Sequence, residues 1–349
     1  MRVAPVAASI RLVSEAVGTT PCKVFSREPK APAPSHRAYG LVHDFANEWT
    51  SASALRARLT ADAMLFGHGY ARAIVVGGEV QELHRLDPRT VRQLCHDLTG
   101  EPLYRVELRS GGTVDYPFNE IIHVADGDDG LATISRAREA IALAELLERH
   151  TIKLFGNGTQ PPSIVTFKTK MPAQAIENFR AAFVSAMRAN TGEPLFIDGA
   201  DGAEFQTVTP SAQASELSIQ RRNQVIEIAR FFNVPPTMLF DLERGTWSNV
   251  EQLHLQFRQF TIQPWLAKWA DAYGRVLLKP EERAEHYIEF LADDLASADL
   301  AAQATAFGQY RSMGAMTANE VRAIRNLPAL PGGDTLANPY TSSPEKAAA

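Results

Sequence analysis

Residues 215–233 read SELSIQRRNQVIEIARFFN, and residues 234–251 continue VPPTMLFDLERGTWSNVE. In the first stretch Leu217, Val225, Ile228, Ala229 and Phe232 recur at helical spacing with arginines between them, which predicts an amphipathic helix. Val234-Pro235-Pro236 is a hard stop, because a proline disfavours αR in its predecessor and donates no backbone hydrogen bond. A short polar loop follows, and Ser248-Asn249-Val250-Glu251 has the Ser-x-x-Glu form of a capping box that opens a second helix. That helix should run for roughly thirty residues, about 45 Å at 1.5 Å per residue. Its apolar stripe is Val250, Leu253, Phe257 and Phe260, then Trp265, Trp269, Tyr273 and Val276. Pro264 lies inside it and predicts a kink. Trp265 and Trp269, four apart on one face, read as core residues.

The loop between the two helices holds Asp241, Glu243, Arg244, Thr246 and Trp247. A plain connector with Trp247 tucked into a core is one reading of it. The other is a loop that projects into a cavity; in a ring of identical subunits, one such loop per chain would form a constriction.

Outward from this stretch the chain reads as α+β. Towards the N-terminus, Val6, Ile10, Val13 and Val17 line a helix that Gly18 should end, and Cys22–Phe25 looks extended. Residues 27–36 are Pro-rich and read as a linker with little capacity to pack. A helix over 52–67 is capped by Thr50 or Ser51 and closed at Gly67. From Gly69 to Val124 the period switches to two, with a hairpin at Gly77-Gly78 and a turn at Gly111-Gly112, which predicts a small antiparallel layer. A helix from Ser135 to Phe155 and a βαββ unit over 163–209 follow, the latter with a helix over 171–188 and strands at 164–167, 195–197 and 204–208. After Pro280 come a strand over 286–290, an Ala-rich helix over 294–312, a helix capped by Thr317, and a Pro-, Gly- and Ser-rich tail from 328 that should be disordered.

Composition limits the chemistry. The 349 residues carry a net charge of −5 and two cysteines, Cys22 and Cys95. Two distant cysteines make neither a disulfide framework nor a metal cluster, and a reducing compartment is the default. Arg11 and Glu15 interrupt the N-terminal apolar run, which therefore suits an amphipathic helix better than a signal peptide. No apolar run reaches the ~18 residues of a membrane span. Proteins that grip duplex DNA by its phosphates are usually basic, so a role on DNA would have to be something other than tight binding. Asp126-Gly127-Asp128-Asp129-Gly130 lacks the rest of an EF-hand, with Gly130, Leu131 and Ala137 at the fifth, sixth and twelfth places, and reads as a solvated loop. Gly67-His68-Gly69 has no second histidine or carboxylate at ligand spacing and reads as a helix end. With no Walker A, Gly-x-Ser-x-Gly or His-Glu-x-x-His motif, the sequence names no catalytic residue, no cofactor and no metal site. The alternative function, a soluble α+β enzyme of unknown reaction, would have to hide its site; a sequence-specific DNA-binding regulator conflicts with the charge.

The order of motifs resembles the portal proteins of long-tailed bacteriophages, prophages and gene transfer agents. The matching residues are Phe155-Gly156-Asn157-Gly158, Phe232-Asn233-Val234-Pro235-Pro236, Trp247-Ser248-Asn249-Val250-Glu251 and Pro264-Trp265-Leu266. Arg11–Val17, Leu86-Asp87-Pro88 and Thr317–Arg322 add to them, so the resemblance runs from about Val6 to Asp334. Relative to that family the chain starts almost at the first helix, and the usual leading segment is expected to be missing. The resemblance implies a β-rich wing over 1–133, stem helices over 134–157 and 213–235, and an α/β clip over 158–212. It further implies a tunnel loop region over 236–249, a kinked long helix over 250–280, a wing return strand over 281–293 and a crown over 294–327. It implies a ring, usually of twelve copies, at one capsid vertex, assembled in the host bacterial cytoplasm. Its partners would be the capsid protein, the packaging terminase, a head-completion adaptor and double-stranded DNA that slides through the channel, with no membrane. Asp241, Glu243, Arg244, Thr246 and Trp247 would face the channel, and Arg221 and Arg222 would face the lumen or a neighbouring subunit. Acids and bases cancel across 241–275, as a lining that must not hold phosphates requires.

Overall fold

The computed structural model describes residues 3–127, 129–156, 164–167, 172–178, 180–181, 203–206, 211–241, 247–291, 300–324 and 327–336. The chain divides into two units, Met1–Phe290 and Leu291–Ala349.

In the first unit a pair of helices meets at a glycine. Helix α1 (Ala4–Thr19) buries Val6, Ile10, Val13 and Val17, the face its spacing predicts. Gly18 does not end it. The helix runs on to Thr19, and a Cβ on Gly18 would lie 2.8 Å from both the Ala57 Cβ and the Ser53 carbonyl oxygen of α3 (Ala52–Phe66). Gly18 is therefore the point of closest approach between two helices. Ser51 caps α3 by accepting from the Ala54 N–H at 3.1 Å, and Gly67, at φ +89°, closes it.

The antiparallel region is two sheets rather than one layer. One has the order β10-β5-β6, from β5 (His68–Val76), β6 (Glu79–Leu86) and β10 (Ile121–Ala125), with Gly77-Gly78 at the β5–β6 turn. The other is β7-β8-β9, from β7 (Val91–Cys95), β8 (Pro102–Glu107) and β9 (Thr113–Pro117). Strand β9 went unread in the sequence, although its alternation puts Tyr116 inward. Tyr70, Val91, Tyr104, Val106, Tyr116 and Ile121 form the shared core of the two sheets.

Residues 27–36 are not a free linker. Ala31-Pro32 (β2) pairs with Phe25-Ser26 of β1 (Cys22–Ser26), and the Ala33 N–H donates to the Val24 carbonyl at 2.9 Å. A proline is tolerated there because β2 is an edge strand. The other edge of β1 takes β13 (His286–Phe290), the expected return strand, from Cys22↔Phe290 to Ser26↔His286. The loop at 126–130 is not a set of solvated acids either. Asp126 accepts from the N–H and the hydroxyl of Thr133, and Asp129 pairs with Arg136. Asp128 lies outside the described residues. The helix expected from 135 is two, α4 (Thr133–Arg136) and α5 (Arg138–Gly156).

Beyond α5, β11 (Ile164–Phe167) pairs antiparallel with β12 (Ala203–Gln206), and 173–178 are helical. Residues 180–181 of that helix are helical as well, while the expected strand at 195–197 and positions 171, 179 and 182–188 lie outside the described residues.

In the second unit α9 (Leu300–Ser312) precedes α10 (Ala318–Ile324). Thr317 and Glu320 form a reciprocal capping box, with bonds of 3.1 and 2.7 Å. The tail is not disordered from 328 onward. The Asn319 amide donates to the Leu330 carbonyl at 3.0 Å and accepts from the Leu330 N–H at 2.8 Å, so one side chain pairs the returning backbone as a strand would. Residues 337–349 lie outside the described residues, as do those expected to begin the α9 helix at 294.

Sheet pairing also brings a second histidine to His68. His68 Nδ1 lies 3.0 Å from His123 Nε2, and the Tyr104 hydroxyl lies 3.0 Å from His123 Nδ1. Burial pushes His123 down to about 3, and the neighbouring His68 and Arg275 charges add to the effect. His68 is lowered too, again by burial.

Two outcomes follow from this frame. Gly18→Val should cost about 2–3 kcal/mol by overpacking against α3, read as a lower urea midpoint, whereas Gly40→Ala, with open space around Gly40, should be neutral or slightly stabilising. The folded state holds His123 neutral while the unfolded chain protonates it below pH 6.5. Stability should therefore fall by about 2 kcal/mol from pH 7 to pH 5 on its account, and His123→Phe should flatten that slope whatever it does to stability at pH 7.

Candidate functional site at the helix–loop–helix junction

Helix α6 (Ser211–Phe231) ends with Ile228, Ala229 and Phe232 buried in the first unit. The stop takes a specific form. Asn233 adopts φ +53°, Pro235 lies at φ −57° and ψ 130°, Pro236–Leu239 make one 3-10 turn, and Phe240 adopts φ +65° and is 88% exposed. A left-handed conformation at two residues that are not glycine is strained backbone, a feature that clusters at functional sites.

The Asp241 carboxylate turns back onto α6. Arg222 grips it with two bonds, Nε to Oδ2 at 3.1 Å and Nη2 to Oδ1 at 2.8 Å. The structure thus joins two residues that the sequence placed on separate elements. Arg221 is exposed and borders a groove of about 570 Å³ between the start of α1, α5 and α6, with Leu147, Leu217 and Val225 in its walls. Glu243, Arg244 and Thr246 lie outside the described residues. Trp247 is the first residue of α7 (Trp247–Phe257), and its side chain is not described. The helix is thus under way before Ser248, which sits in the first turn and not at the cap.

After α7 the helix widens into a π turn, Arg258–Ile262, before α8 (Gln263–Leu277). The extra width advances the buried face by a residue. Phe260, expected in the stripe, is 60% exposed, and Thr261 and Ile262 are buried in its stead. Trp265, Trp269, Tyr273 and Val276 are core residues, as their spacing predicts.

Pro264 stands in the first turn of α8. It has no N–H, so the carbonyl four residues back, that of Phe260, loses its helical donor. Asn233 replaces it, with Nδ2 donating to the Phe260 oxygen at 2.9 Å. In return the Thr261 hydroxyl donates to the Asn233 carbonyl. The end of α6 is therefore fastened to the irregular turn of the long helix. Nothing in the local sequence around Asn233 signals this, since its partner is 27 positions away. Further along, Lys268 donates to the Ala125 and Asp126 carbonyls at 3.0 and 2.6 Å, which fixes its charge within the fold.

Among the described residues no three potential metal ligands cluster, and no helix is long and apolar enough to cross a membrane. A family model of phage portal proteins matches residues 4–326. The chain belongs to the phage portal protein family. The portal protein of Enterobacteria phage HK97 is 28% identical over 299 residues, 82% of this chain and 69% of that protein. The fold is similar to a chain in the neck of a native gene transfer agent particle computed with C12 symmetry, with TM-score 0.61 and 20% identity over 93% of this chain and 91% of that one. It is similar as well to an HK97 family phage portal protein from Corynebacterium diphtheriae, with TM-score 0.62 and 15% identity over 85% and 95%. The α+β portal fold read from the order of motifs is thus the fold of the molecule, and the enzyme alternative finds no support among these relatives.

The fastening of this portal chain at Asn233 is open to test by two substitutions. Asn233→Gly loses the bond to Phe260 but relieves the left-handed backbone, and should cost about 1 kcal/mol. Asn233→Ala loses the bond and keeps the strain, and should cost about 2 kcal/mol in denaturant unfolding. Equal costs would show that the strain contributes nothing.

Proposed function

We propose that about twelve copies of this chain, the symmetry used for the similar neck, close into a ring around a channel at one capsid vertex. DNA enters the capsid through the channel during packaging and leaves through it on ejection. The terminase and then the head-completion adaptor dock on the ring, which is assembled in the host bacterial cytoplasm. The observation that carries this reading is the family match across residues 4–326.

In this reading 1–133 and 281–293 form the wing, 134–157 and 213–235 the stem, 158–212 the clip, 236–249 the tunnel loop region, 250–280 the long helix with its bend at Pro264, and 294–327 the crown. Glu243, Arg244, Thr246 and Trp247 face the channel. Asp241 marks the root of the loop, where its pairing with Arg222 supports it. Arg221, exposed beside it, faces the lumen or the next subunit. The protein hydrolyses nothing itself; ATP chemistry belongs to the terminase. A net charge of −5 supports a channel through which duplex DNA slides without being held.

The native mass of the purified chain, with negative-stain images of the same sample, tests the proposal. Rings of about twelve copies with a central hole are expected. A monomer that also fails to form rings beside its capsid protein would overturn it.

A further inference from the structure

The two antiparallel sheets of the first unit meet through a series of side-chain hydrogen bonds. Tyr104 of β8 stands at one end, with its hydroxyl 3.0 Å from His123 Nδ1 on β10, and His123 Nε2 lies 3.0 Å from His68 Nδ1 on β5. The rings pack as well: His123 stacks on Tyr70 at 4.7 Å and meets Tyr104 edge-on at 5.5 Å. With both histidines neutral, every contact in the series holds one hydrogen. The Tyr104 hydroxyl donates to His123 Nδ1, and His123 Nε2–H donates to His68 Nδ1. An added proton does not fit. On His68 Nδ1 it sets two N–H groups face to face, and on His123 Nδ1 it displaces the hydrogen of a tyrosine that is 3% exposed. Both histidines are half-buried, so protons reach them from solvent in the folded chain.

The surroundings oppose a proton too. Arg275 of α8 faces His123, Lys268 of α8 is held at the end of β10, and Arg72 of β5 lies over the Tyr116 ring at 4.4 Å. Cys95 of β7 is close to Tyr104, and the Gly130 backbone closes on His68 Nε2. Asp126 faces His68, but it already accepts from Thr133 and has Arg136 at 3.9 Å.

What this series holds is lightly attached. Among residues 91–117 only Val91, Tyr104, Val106 and Tyr116 are buried, so the β7-β8-β9 sheet rests on the other sheet by one small core. The β10-β5-β6 sheet is anchored elsewhere. Between α2 (Ala38–His43) and α3, the hairpin of β3 (Phe45–Asn47) and β4 (Thr50–Ser51) reaches β6, where the Asn47 amide donates to the Leu83 carbonyl at 2.8 Å. Asp62 of α3 holds Arg85 of the same strand at 2.8 Å. A segment with so few buried residues opens before the rest of a fold.

We propose that Tyr104, His123 and His68 form a proton-operated latch, which holds the β7-β8-β9 sheet closed at neutral pH and lets it undock reversibly in acid while the helices of the unit stay folded. The inference goes beyond the portal reading and does not rest on it. Undocking bares Tyr70, Tyr104, Tyr116 and Ile121 as an apolar, aromatic surface. The sign follows from the closed state, which keeps His123 down at about 3, whereas the open sheet lets it take a proton below pH 6.5. Falling pH therefore favours opening, by about 25-fold between pH 7 and pH 5 on account of His123 alone. His68, lowered as well, adds in the same direction.

Amide hydrogen exchange of the full chain at pH 7 and pH 5, corrected for the intrinsic rate at each pH, tests the latch. Amides of β8 and β9 should show the rise of about 25-fold, and at pH 5 they should open at least about tenfold more readily than those of α1 and α3. His123→Gln keeps an acceptor for the Tyr104 hydroxyl and should cut the rise to about threefold. His68→Gln, at a half-buried position and so the safer change for folding, removes the neighbour that repels a proton on His123 and should bring the rise below about tenfold. A full rise that survives in both variants would overturn the inference. So would β8 and β9 amides that open only in step with α3, which would make the series a determinant of whole-chain stability, or amides whose opening is the same at both pH values. The portal reading stands or falls separately, on ring formation.

Discussion

The arrangement of the first unit depends on a buried guanidinium. Arg56 of α3 is 2% exposed. It donates to the carbonyls of Gly18 at 2.8 Å and Thr20 at 3.3 Å, where α1 ends, and to that of Val42 at 2.6 Å, in the last turn of α2. Helix C-termini carry carbonyls without helical donors and the negative end of the helix dipole, and α1 has no basic residue in its own last turn. Arg56 supplies that charge from a third helix. Its other neighbours do not compete for the role. Burial pushes the Cys22 thiol up to about 12 and the Tyr273 phenol up to about 12, so both stay neutral beside it. A buried charge is tolerated only where it is hydrogen-bonded, and here the bonds come from two helix ends that would otherwise be short of donors. Removing the guanidinium would orphan carbonyls on both helices. The same constraint bears on Gly18: α1 must lie close enough to α3 for its last carbonyls to reach Arg56, and only a residue without a side chain permits that approach.

From α3 the order extends to the long helix. Thr60, one turn beyond Arg56, accepts from the Trp269 indole at 3.0 Å, and Asp62 holds Arg85 of β6. Lys268 then ties α8 to the end of β10, and Arg283 donates to the Arg275 carbonyl at 2.8 Å and to those of Gly274 and Leu278 at 3.2 Å, at the far end of the helix. The α8 helix is thus fixed along its length, and the irregularity the proline imposes is confined to its start. There the π turn widens the helix, and Asn233 supplies the donor that Pro264 lacks. A proline that would only weaken an isolated helix becomes the place where that helix is joined to the end of α6.

What the sequence could and could not disclose divides along one physical line. Features set by neighbours in the chain were legible: the periodicity of α1, the Gly77-Gly78 hairpin, the stop at Val234-Pro235-Pro236, the helix cap at Thr317, the inward faces of Trp265 and Trp269. The family was legible as well, because the order of many weak motifs is more specific than any one of them. Features set by distant partners were not. Arg56 reads as one more arginine on a helix until α1 and α2 end around it. Asn233 reads as a residue before a proline pair. His123 meets His68 only through strand register. The exposure of Phe260 follows from a π turn, which shifts the phase of a stripe that is correct on either side of it. Residues 27–36 were misread because a proline-rich segment can still lie along a strand edge. The loop positions Glu243, Arg244 and Thr246 stay a matter of sequence, as they fall outside the described residues.

The pairing of Arg222 with Asp241 bears on how a channel could carry DNA without gripping it. A free arginine ring around a duplex would exchange counterions with the phosphates, and every such contact adds to an affinity that stalls movement. An arginine already held by two bonds to a carboxylate must lose them before it can bind phosphate, so its attraction to the backbone is largely offset. Lys268, satisfied by two carbonyls, is engaged in the same way. On the proposed reading, the fold keeps these two cations of 222–268 occupied with its own acceptors. On that reading, what remains to meet the DNA is Arg221 and the short polar loop after Asp241, where one acid and one base are adjacent in sequence at Glu243 and Arg244.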